Sequence, residues 1–180
     1  MFDSVLPRRL ISIPVVLLAL PFVLLISPLL IIGAVVFDLV TGYWRLPTIR
    51  LGIFAVVFLV HDWIVLASVP WLWLAGGFGR RLDQDKHSRL QGWVIESLVN
   101  WARRLVNVHI DLGDLSVIPD RKVVVLSRHA SMIDAVIPVL AIVRRLNRHV
   151  HYVLKQELQW DPIFDFLGNR LNNHLSLIHI

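Results

Sequence analysis

Apolar and polar positions divide this chain into two regimes. From Ile11 to Phe37 the residues are apolar or small, with no charge at all. From Leu51 to Phe78 a second apolar run is interrupted only by His61 and Asp62. A helix needs about 20 apolar residues to cross a hydrocarbon core, whereas a cleaved signal peptide carries an apolar stretch of about 7–15. Both runs therefore read as retained membrane helices. Pro14, Pro21 and Pro28 recur every seven residues in the first run. Each removes a backbone donor, so a kinked or re-entrant segment is compatible with the pattern. The His61/Asp62 pair has two readings: a substrate-lining pair, or a packing contact in a helix that dips into the bilayer. Trp63, Trp71 and Trp73 fit an interfacial belt as well as a core.

After Gly79 the periodicity shortens. Leu90, Trp93, Val94, Leu98, Trp101 and Leu105 share one broad face, which predicts a helix over Ser88–Val106 that packs on a sheet or lies on the membrane. Val108–Leu112 alternates like a strand, Asp120 and Arg121 make a turn, and Lys122–Leu126 is a β-branched run expected as a buried strand. A helix over Ser131–Leu146, a strand over Val150–Leu154 and a short helix over Gln156–Leu167, with Pro162 marking a break or start, complete the pattern. Strands alternating with helices predict an α/β sheet. The expected fold is thus an N-terminal membrane helical hairpin (residues 1–80) followed by an incomplete α/β domain (residues 81–174).

Charge fixes an expected orientation. Arg8 and Arg9 precede the first apolar run, and Arg80, Arg81, Lys86 and Arg89 follow the second. The connecting loop holds only Arg45 and Arg50. Both ends of the hairpin are therefore expected on the cytoplasmic side of an inner or cytoplasmic membrane. In 180 residues, 56% hydrophobic residues and a formal net charge of +5 agree with a membrane surface or a phosphate-bearing substrate, against about 45–50% apolar in a soluble domain. No basic stripe interleaves with aromatics, so no nucleic-acid partner is expected. The absence of cysteine excludes disulfides, a thiolate nucleophile and Cys-built zinc sites, and no metal centre or cofactor is expected.

Candidate chemistry follows the Lys122–Leu126 run directly, in Ser127-Arg128-His129-Ala130-Ser131-Met132-Ile133-Asp134. His129 is suited to accept a proton near neutral pH, and a carboxylate such as Asp134 can fix its tautomer and stabilise the imidazolium. Ser131 and Asp134 also form an S-x-x-D capping box, so Asp134 serves equally as a helix cap. The two roles are compatible, because a capped first turn holds Asp134 rigidly.

The His-x4-Asp spacing, together with Lys155-Gln156-Glu157-Leu158-Gln159-Trp160-Asp161-Pro162 downstream, resembles the glycerolipid acyltransferase family, whose type members acylate 1-acylglycerol-3-phosphate. The resemblance covers about Lys122 to Arg170. One departure is Arg128, where the family often has Asn. The resemblance implies acyl transfer from a thioester donor, acyl-CoA or acyl-carrier protein, to a lysophospholipid hydroxyl. In it His129 is the general base and Asp134 orients it, while Lys155 and Arg128 meet substrate phosphates. Lys155 also reads as a solvated strand end, and Phe164, Phe166 and Leu167 read as core. Two alternatives stand: a related enzyme for another lysolipid or alcohol acceptor, and a non-enzymatic membrane anchor or transporter fragment using His61 and Asp62. The family's Phe-Pro-Glu-Gly-Thr-Arg block is missing from the sequence. Leu175-Ser176-Leu177-Ile178-His179-Ile180 reads as the translation of a sequencing-library transposase adapter end. Residues 175–180 are therefore expected to be an adapter-derived tail on a truncated, inactive fragment, and His174 and His179 receive no role.

Overall fold

A computed structural model of the chain describes residues 5–76, 84–126, 136–171 and 174–176. Its first two elements are long helices, α1 (Val5–Val40) and α2 (Pro47–Ala75), packed against each other as a hairpin. Both are long and apolar enough to cross a membrane, and only 6% of the most apolar window of α1 is buried. An apolar helix that buries so little within its own chain needs an apolar medium around it. The three prolines do not end α1. Pro28 leaves the carbonyl of Leu24 without its usual backbone donor, and the Ser27 hydroxyl donates to that carbonyl at 2.8 Å.

The hairpin turn is held by a residue outside the uncharged run. Asp38 is fully buried, and its carboxylate accepts from the Thr48 N–H at 3.0 Å and from the Thr48 hydroxyl at 2.6 Å. It thereby caps the first turn of α2, whose own N-cap residue, Leu46, supplies no side-chain acceptor. Leu46 lies in the left-handed region (φ 49°) and Gly42 at φ 76°, so the chain reverses within a few residues. Lower down, the Trp63 indole donates to the Val16 carbonyl at 3.1 Å and ties the two helices together.

The second half is helical and irregular. α3 (Gln84–Val106) is amphipathic, as the spacing predicts, but it buries two faces. Val94 joins Val65 and Val69 of α2 and Ile163, Leu167 and Leu171 in one cluster. Ile95 and Val99 join Val139, Leu140 and Val143 of a π-helix (Val139–Arg145) in another. Gly92 lies where the π-helix comes closest: a Cβ there would stand 2.6 Å from the Arg144 side chain and 3.1 Å from that of Val143. Asn107 and Asn147, at φ 57° and 52°, take the left-handed conformation just after α3 and the π-helix, which asparagine tolerates better than most residues. A 3-10 turn (Gln156–Trp160) leads into α4 (Pro162–Arg170), where Asp161 accepts from the Ile163 N–H at 2.8 Å and Pro162 starts the helix.

Among the described residues the expected α/β domain is not present. Residues 108–112 and 122–126, expected as strands, run without regular structure. Pairing among the described residues is confined to β1 (Val153–Lys155) and β2 (His174–Ser176), three residues each and parallel, with Val153 opposite His174 and Lys155 opposite Ser176. A strand is stable when neighbours take up its backbone groups and cover one face. Among the described residues, positions 122–126 have no strand partner, and Val124 and Leu126 stand 88% and 92% exposed. A β-branched run states a preference for extended backbone, and no sheet forms around it here.

Candidate functional site

The proposed catalytic residues His129 and Asp134, together with Arg128, lie outside the described residues. What surrounds that segment is described. Arg148, just beyond the π-helix, donates to the carbonyls of Pro119 and Arg121 at 2.9 Å each and pairs with Asp120 at 3.1 Å. The chain leaving toward residue 127 is thus strapped to the chain returning after residue 146. The π-helix between them buries Val139 to Val143 against α3. Arg144 extends this contact with a two-pronged ion pair to Glu96 of α3, one prong measuring 2.8 Å. Lys155 ends β1, where its backbone sits opposite Ser176.

The segment after Lys155 carries a polar cluster that spacing did not reveal. Arg8 is 3% exposed and donates to the Gln159 side-chain carbonyl and to the Asp165 carboxylate, both at 2.6 Å. Arg9 donates to the other Asp165 oxygen at 2.5 Å and lays its guanidinium over the Phe166 ring, 4.6 Å from the centroid. These contacts join residues more than 150 positions apart. The same two arginines look, in sequence, like free topogenic charge. Asp165, within a short apolar stretch, is the signal that points to a buried partner.

His61 and Asp62 face the protein interior, 4% and 2% exposed. His61 places Nδ1 2.7 Å from the Val57 carbonyl and Nε2 2.9 Å from the Ser97 hydroxyl, with its ring 5.6 Å from that of Trp93. Both ring nitrogens are occupied, which favours the packing reading over the substrate-lining one. Asp62 neighbours the Asp161 carboxyl, and its Oδ1 has no hydrogen-bond partner among the described residues. Burial pushes the Asp161 carboxyl above the usual carboxylate range, against the Ile163 and Phe164 N–H groups that hold it down. Among the described residues, α1, α2, α3 and α4 thus meet around a polar layer: Arg8, Arg9, Gln159 and Asp165 on one side, and Asp62, Asp161, His61 and Ser97 on the other.

Comparison of the chain with protein-family models, curated proteins and solved structures finds no match.

Proposed function

We propose that this chain belongs to a membrane-associated acyltransferase that moves a fatty acyl group from a thioester, acyl-CoA or acyl-carrier protein, to the hydroxyl of a lysophosphatidate. The observation that carries the reading is the combination, in one chain, of His129-x4-Asp134 with Lys155–Pro162 behind two membrane-length apolar helices. His129 removes the proton as the acceptor oxygen bonds to the thioester carbon. The C–S bond then breaks, and the proton passes to the leaving thiolate. Asp134 holds the imidazole in the accepting tautomer. Arg128 and Lys155 meet phosphates of donor or acceptor. The hairpin brings this chemistry to the lipid surface, with the catalytic segment on the cytoplasmic side.

Two features support the reading. The Lys155–Pro162 segment is bound to the entrance of α1 through Arg8 and Gln159. The His129–Asp134 segment lies between two stretches that Arg148 straps together. The test is acyl transfer to lysophosphatidate by membranes of cells expressing the gene that encodes this sequence, with an established lysophosphatidate acyltransferase alongside. Transfer is expected, and His129→Ala should lower it by about 10²–10⁴-fold while membrane association persists. A His129→Ala protein with unchanged turnover overturns the assignment, as does the absence of transfer to any lysolipid.

A further inference from the structure

We propose that the turn joining α1 and α2 docks into a layer of phospholipid headgroups, where Arg45 and Arg50 hold lipid phosphate and Tyr43 and Trp44 fix the depth. The polar groups of this turn fall into two sets. The hydroxyls and the acid are engaged within the chain. Thr41 donates to the Phe37 carbonyl at 2.6 Å, and Thr48 donates to the Asp38 carboxylate at 2.6 Å. Asp38 is the only acidic residue between Ile11 and His61, and it is fully buried. Arg45 and Arg50 form the other set. Both are exposed, and among the described residues neither guanidinium has a hydrogen-bond or ion-pair partner.

Within the fold these two charges are unfavourably placed. Arg50 stands in the first turn of α2, the end of a helix that disfavours a cation. Two guanidiniums against the one carboxylate of Asp38 leave the turn net positive. An unpaired guanidinium in hydrocarbon is costly, so the turn rests where phosphate and water reach it. The aromatic residues beside it point to the same level. Tyr43 and Trp44 are 57% and 81% exposed, and such rings, apolar with a polar edge, concentrate among headgroups. Val40 and Leu51, also exposed, carry the patch on toward the acyl chains. A guanidinium matches phosphate in bidentate geometry. An anionic phospholipid is the favoured occupant, because its headgroup brings no ammonium to oppose the arginines. The docking site does not depend on the acyltransferase reading.

Fluorescence quenching of the chain in phosphatidylcholine vesicles tests the depth. The Trp44 signal is the difference between the parent and Trp44→Phe. Lipids brominated near the headgroup end of the acyl chain should quench it more than lipids brominated near the methyl end. Stronger quenching from the methyl end puts the turn in the hydrocarbon core and overturns the proposal. The lipid preference gives the second readout. Brominated phosphatidylglycerol should quench Trp44 more than brominated phosphatidylcholine at the same proportion. The double variant Arg45→Gln/Arg50→Gln should lower that preference by about fivefold per arginine. Both side chains are exposed, so their replacement leaves the packing of the hairpin intact. Equal quenching by the two lipids in the parent overturns the proposal, as does a preference that persists unchanged in the double variant.

Discussion

The hairpin and the half of the chain that follows it both leave large apolar side chains uncovered, and the same exposure has different causes in the two. Along α1 the exposed leucines and isoleucines sit on a continuous helix, whose backbone groups pair within the helix except where its three prolines remove a donor. Beyond Arg8 and Arg9 at its start, polar groups of the helix are matched locally, as Asp38 with Thr48 and Ser27 with the Leu24 carbonyl. Such a surface is complete once an apolar solvent covers it. Around residues 122–126 the exposed Val124 and Leu126 lie on irregular backbone, just after a stretch held by Arg148 on the Pro119 and Arg121 carbonyls. Among the described residues no neighbouring strand covers residues 122–126, and an apolar solvent offers their backbone groups no partner. An exposed apolar residue thus has to be judged with the hydrogen-bond state of its backbone.

The largest effect is expected where the two regions join. Asp165→Ala leaves Arg8, 3% exposed, and the partly covered Arg9 without their carboxylate. Breaking a buried pair in this way costs about 3–5 kcal/mol, and thermal unfolding in detergent should show it as a large drop in melting temperature. Melting within about 1 °C of the parent would mean that the two regions do not depend on this joint.

Within the second region, Gly92→Ala is expected to cost about 1–3 kcal/mol. The new methyl group meets Arg144 and Val143, and Arg144 is pinned by Glu96, so the π-helix must move away from α3. Hydrogen exchange should speed up in residues 139–145 and not in the hairpin. Protection lost equally in α1 would dissolve the distinction between the two regions.

The smallest of the three lies in the hairpin. Asp38→Ala removes the acceptor for the Thr48 N–H and hydroxyl and should cost about 0.5–2 kcal/mol, the usual worth of a helix cap. Proteolysis at the turn around Gly42–Leu46 is the measurement, with cleavage expected to rise in the variant. Unchanged cleavage would show that lipid or detergent alone holds the turn.

The sequence by itself determined the two membrane-length apolar helices and a helix over Ser88–Val106, which the structure extends back to Gln84, and at Pro162 it left a break and a start both open. Each follows from composition or spacing within a single segment, and local periodicity carries that information. Arg8, Arg9 and Asp38 could be seen as charges at the margins of apolar runs, yet their partners Asp165 and Thr48 could not be named, because pairing across 10 to 157 positions leaves no spacing to read. Only the tertiary structure decided that residues 108–112 and 122–126 do not form strands. A helix closes its hydrogen bonds within about four residues, whereas a strand depends on a neighbour elsewhere in the chain. The tertiary structure also decided that α3 buries two faces, since the alternation of Val94 with Ile95 fits either side until α2 and the π-helix each claim one.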